Sequence, residues 1–121
     1  MHKLSFCRIN IIEKNIAEVV VKGKVEVTAL MIDELLLFIE DHMSGEISFI
    51  LNKVISYTYS FDALVKFSLS DVIKNLAVVA YGDNSAAFSN YLKNNFNKSN
   101  KTIKVFNSRE DAIAWMKDIA G

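Results

Sequence analysis

Leu76-Ala77-Val78-Val79-Ala80-Tyr81, LAVVAY, is an unbroken apolar run that stops at Gly82. A run this short, with valines at its centre and glycine at its end, predicts a strand buried on both faces of a sheet. Ile47 to Leu51, ISFIL, repeats the signature. Two such strands need cover, and the segment between them supplies it. Ser60 stands where an N-cap belongs, ahead of a helix through Phe61, Leu64, Val65 and Leu69.

Working outward, Thr28 is placed to cap a helix from Ala29 to about Met43. Its Ile32, Leu35, Leu36, Ile39 and Met43 fall on one face, and Ser44-Gly45 closes it. Ile16 to Lys22, IAEVVVK, reads as a strand stopped by Gly23. Before it, Leu4, Phe6, Ile9 and Ile11 mark one extended segment whose alternation slips phase once, as at a bulge, and Glu13 to Asn15 form a short turn. Downstream, Gly82 to Ser85 precede a helix with Phe88, Tyr91, Leu92 and Phe96 on one face. Ile103 to Phe106 follow as a strand, and Ser108 with Asp111 opens a last helix carrying Ala112, Ile113, Met116, Ile119 and Ala120.

The order β-β-α-β-α-β-α-β-α predicts an α/β protein with a mostly parallel five-stranded sheet, an antiparallel edge strand and about four covering helices. At 121 residues the chain is one domain, residues 1–121, and 51% hydrophobic content suits a packed core. Acidic and basic residues balance at 14 each, so no global charge draws the chain to nucleic acid or anionic membrane. The lone Cys7 reads as a small buried hydrophobe and fits a reducing compartment. Arg8 and Asn10 interrupt any signal-peptide core, and no apolar run reaches the roughly 20 residues of a membrane span. A cytoplasmic protein is expected.

In this order the elements resemble the STAS domains, most closely their SpoIIAA-like branch, relatives of the bacterial anti-sigma-factor antagonists. Three stretches carry the likeness: VVVKGKV (Val19 to Val25), LAVVAYGDNSAAFSNYL (Leu76 to Leu92) and IKVFNSREDAIAWM (Ile103 to Met116). The resemblance implies a non-enzymatic regulatory module acting through a protein partner or a second copy of itself. In the antagonists, a serine between the third strand and the second helix is phosphorylated by a partner kinase. Here the chain has YTYSFDAL, without the family's preceding aspartate or following glycine. Counted from Asn52, which takes the place of the strand-end aspartate, the phosphoserine slot falls on Phe61, and a one-residue shift brings in Ser60. Ser60 is thus the candidate phosphosite, although an N-cap role explains it without a switch.

Enzyme chemistry is not expected. His2, at the end of the chain, and His42, near a helix C-terminus, lack neighbours at metal-ligand spacing, and no glycine-rich phosphate loop is present. The strand VVVKGK also lacks the acids that a receiver domain needs. No cofactor or metal is therefore expected.

Two features point to binding. Between Val25 and Asn52 lie six acids and no Lys or Arg; between Asn84 and Arg109 lie Lys93, Lys98, Lys101, Lys104 and Arg109 and no acid. Such polarity suits a docking surface, with solvated helix faces as the plain alternative. Tyr57, Tyr59 and Phe61, with Phe67 beyond, alternate into the second helix. They could line a pocket for a small apolar or lipid-like ligand, as the family's distant likeness to CRAL-TRIO lipid-transfer domains would imply, or serve as ordinary core. The expected docking face is the Asn52–Phe61 loop with the second helix.

Overall fold

The computed structural model describes residues 1–23, 25–53, 58–80 and 101–120. In chain order the elements are β1 (His2–Lys3), β2 (Cys7–Glu13), β3 (Ile16–Val21), β4 (Glu26–Val27), α1 (Ala29–His42), β5 (Ile47–Lys53), β6 (Thr58–Tyr59), α2 (Phe61–Leu69), β7 (Ile73–Ala80), β8 (Thr102–Phe106) and α3 (Arg109–Ala120).

The main sheet has six strands in the order β1-β2-β3-β5-β7-β8. From β3 to β8 every pairing is parallel, whereas β1 and β2 form an antiparallel edge. The α/β class and the largely parallel sheet are as read from the sequence. The strand count is six rather than five, because the N-terminal segment is two strands. His2 pairs with Ile9 and Lys3 with Arg8. The slip in alternation between Phe6 and Ile9 is therefore a reversal closed by Leu4 N donating to Cys7 O at 2.8 Å. The register irregularity within β2 comes later, between Ile11 and Glu13. The described residues hold three helices; the helix expected around Phe88 to Phe96 lies outside them.

Helices α1 and α2 cover one sheet face and α3 the other. On the first face Val19, Phe49, Leu51, Leu76 and Val78 meet Ile32, Leu35, Leu64 and Phe67. On the second, Ile16, Ile50, Ala77 and Val79 meet Ala112 and Met116. This explains why ISFIL and LAVVAY carry almost no polar residues: β5 and β7 are covered on both sides. Phe49, Ile50, Leu76, Val78 and Val79 are fully buried. Burying a side chain of this size contributes about 1.5–3 kcal/mol.

A short parallel pair, β4 with β6, was not legible in the sequence. It aligns the starts of the two helices on the first face. Thr58 N donates to Val25 O at 3.2 Å and Ser60 N to Val27 O at 2.9 Å. Each strand leads directly into a cap. Thr28 Oγ1 accepts from Met31 N at 3.4 Å, and Ser60 Oγ accepts from Ala63 N at 3.1 Å. The helices therefore leave side by side and run parallel. At the far end of α1, Gly45 takes φ +83°, a left-handed conformation that favours glycine, and turns the chain into β5.

Candidate functional site

The parallel start of α1 and α2 leaves a groove of about 1020 Å³ along their outer faces, extending to the start of β7. Its α2 wall is the stripe Phe61, Val65 and Leu69, at i, i+4 and i+8. Phe61 is 78% and Leu69 72% exposed, and Val72 beyond them is 46% exposed. The α1 wall and floor come from Leu36, Ile39, Met43 and Ile47. Helix α2 thus has two apolar faces. Ala63, Leu64 and Phe67 face the core, and Phe61, Val65 and Leu69 face outward. The sequence reading merged these two faces into one.

Charge surrounds the groove unevenly. Lys66 is bound to Asp33 at 2.6 Å, which ties α2 to α1 and neutralises that base. Glu40, Asp62 and Asp71 also line the groove and make no ion pair among the described residues. The acidic surface expected of the first helix is thus partly used inside the molecule. Glu34 likewise accepts from Ser5 N at 2.7 Å and Ser5 Oγ at 3.0 Å.

Of the residues expected to line an aromatic pocket, the structure brings Tyr59 and Phe67 together and gives Phe61 a different setting. Phe67 is buried in the core, and Tyr59 is half-buried against it with the rings 6.4 Å apart, edge to face. Phe61, the first residue of α2, projects into the groove instead. Tyr57 lies outside the described residues. Ser60 is a half-buried N-cap whose hydroxyl is already engaged by Ala63.

Of the described bases of the expected basic surface, one is buried, one is paired to a buried acid and one is exposed. Lys101 is buried, and its ammonium donates to Ser70 O and, at 2.7 Å, to Ile73 O. Burial, followed by the charge of Lys74, lowers its pKa, with Asp71 acting in the opposite sense. Arg109 turns inward to Glu18 and only Lys104 is exposed, while Lys93 and Lys98 lie outside the described residues.

Glu18 is the residue that sequence reasoning missed. It is 5% exposed on the α3 side of the sheet, where its Oε2 accepts from Arg109 Nε and Asn52 Nδ2, both at 2.8 Å. Burial alone would raise its pKa. The hydrogen bonds from Arg109, Asn52 and Asn10 and the Arg109 charge outweigh that and hold the carboxyl below its usual range. A cavity of about 270 Å³ beside it is lined by Arg8, Asn10 and Asn52 among others. Chemically, the cluster keeps Glu18 ionised and anchors the start of α3 to the sheet. The available signal was a lone acid inside the otherwise apolar strand IAEVVV.

Two further expectations concern metal and thiol chemistry. Burial first, then the Glu34 charge, pushes the Cys7 thiol up to about 12 against a smaller opposing effect of Lys22, so it stays protonated. His2 belongs to β1, and its ring lies 4.8 Å from that of His42, which stacks on Phe38 at 4.4 Å. Among the described residues, no group of three or more His, Cys, Asp or Glu side chains could hold a metal ion, and no helix is long and apolar enough to cross a membrane.

Compared with known proteins, the chain matches no family model, no curated protein and no solved structure.

Proposed function

We propose that this chain is a STAS-like, non-enzymatic binding module that acts by docking a protein partner in the α1–α2 groove. The observation that carries this reading is the outward stripe Phe61, Val65, Leu69, continued by Val72. Large apolar side chains left contiguous in water mark a surface that another molecule covers. Burying Phe61 and Leu69 in a complex would each contribute about 1.5–3 kcal/mol toward association. The strand–helix order supports the STAS-like reading, and the groove includes the second helix of the docking face expected from the sequence, whose Asn52–Phe61 loop lies outside the described residues over positions 54–57. A phospho-switch at Ser60 would have to displace an N-cap bond that the helix already uses.

A photo-crosslinking residue at position 69 tests the docking role in the native host. A discrete polypeptide adduct from position 69, absent when the crosslinker sits at Ile119 on α3, is the expected result. Equal, diffuse labelling at both positions would remove the groove from consideration. A second reading, a small apolar ligand, is favoured by the groove floor of Leu36, Ile39 and Met43. Native mass spectrometry of gently purified protein separates the two. A stoichiometric small-molecule adduct supports the ligand reading, and a clean mass supports docking.

A further inference from the structure

We infer that the groove's occupant is an amphipathic α-helix of a partner protein, flanked by Lys or Arg on both sides of its apolar stripe. The inference rests on the docking role proposed above and adds the shape and charge of what docks.

Shape argues for a helix. The two walls are parallel helices held side by side by the β4–β6 pair and the Asp33–Lys66 bridge, with an apolar floor between them. A third helix can set its own side-chain ridge into such a channel. Phe61, Val65 and Leu69 span about 12 Å along α2 at 1.5 Å per residue, so an incoming helix of about three turns covers the stripe.

Charge decides the chemistry. Glu40 stands on the α1 wall, Asp62 near the start of α2 and Asp71 just past its end, while Lys66, the one lysine among the described groove residues, is paired to Asp33. The rim is therefore acidic at Glu40 and Asp62, while Asp71, at the far end, lies within electrostatic reach of the buried Lys101. A basic helix finds complementary charge there. A second copy of this chain would bring an equally acidic rim against it, which disfavours self-pairing through this face. An anionic membrane is disfavoured for the same reason.

The test is a displayed library of 16-residue helices. Leucines are fixed at i, i+4 and i+8, and flanking positions are randomised among Lys, Arg, Glu, Asp, Gln and Ser. Selection is run on the whole protein, with Leu69→Asp as counter-target. Lys and Arg should be enriched at the flanks, and a selected peptide should bind about tenfold more weakly to Glu40→Lys/Asp62→Lys protein. Its affinity should also fall as salt rises. Because Leu69 is exposed, Leu69→Asp should stay folded, and its circular dichroism and thermal midpoint provide the check.

Binders without basic enrichment, or with acidic enrichment, would overturn the inference while leaving the docking groove intact. A failure of every helix to bind, with position 69 still crosslinking a polypeptide, would overturn the helical occupant alone. Micromolar self-association that Leu69→Asp abolishes would replace the basic helix with a second copy. Loss of position-specific crosslinking would mark failure of the docking reading itself.

Discussion

Phe61 and Phe67 stand six positions apart on the same short helix and have opposite surroundings. Phe67 is 2% exposed, packed under Tyr59 and against the sheet, whereas Phe61 is 78% exposed on the groove wall. The same contrast holds for the two sheet faces. On one, α1 and α2 bury an apolar side and present another apolar side outward. On the other, α3 covers Ile50, Ala77 and Val79 and is tied at its start by the Glu18–Arg109–Asn52 cluster. The apolar residues of α2 therefore serve two purposes. Those facing the sheet hold the fold together, and those along the groove are available to hold something else.

The phenylalanine contrast can be tested directly, and it gives the largest expected effect. Phe67→Ala should cost about 3–5 kcal/mol of unfolding free energy in urea titration, because it empties a packed core site. Phe61→Ala should change stability by no more than about 0.5 kcal/mol, as expected for an exposed residue. If the two variants cost the same, the division between core and groove is wrong.

Next comes the anchor of α3. Glu18→Ala leaves the buried Asn52 amide and the half-buried Arg109 without their shared acceptor, and a loss of about 1–3 kcal/mol is expected. The pH dependence has a definite sign. The folded carboxyl lies below its ordinary range, so its contribution is complete above that range and is lost as pH falls through the folded value. Urea midpoints of wild type and Glu18→Gln should therefore converge in acid. Parallel pH profiles would show that the charge contributes nothing.

A smaller effect is expected at Ser60. Ser60→Ala should cost about 1 kcal/mol, the usual value of an N-cap, and leave crosslinking from position 69 unchanged. Crosslinking that disappears with the hydroxyl, at unchanged stability, would instead give Ser60 a direct part in docking. The smallest effect is at Cys7. With its pKa near 12, the thiol should resist alkylation at pH 8 in native protein and react freely once the chain is unfolded in urea. Rapid native labelling would contradict its burial in β2.

Much of the fold was legible because its strongest signals are local. The apolar runs of β5 and β7, the caps Thr28, Ser60 and Ser108, and the turn at Gly45 depend on residues near them in the chain, and the structure keeps all of them. What stayed hidden depends on distant pairing. The β1 reversal looked like a slip because a tight turn and a bulge disturb alternation alike. The β4–β6 pair joins segments too short to register by periodicity. Lys101 counted as surface charge until the carbonyls of Ser70 and Ile73 came into reach. The groove was hidden for a related reason. An apolar residue on a helix states a preference for leaving water, and not which neighbour will cover it, so Phe61 and Leu64 look alike in sequence.

The central claim, that the outer α1–α2 groove is a docking site for a basic helix, is tested most directly by methyl NMR during titration with a selected peptide. Shifts should cluster at Leu36, Ile39, Met43, Val65 and Leu69, with Ile113 and Met116 on α3 unmoved. Shifts centred on α3, or spread evenly over both faces of the sheet, would contradict the account.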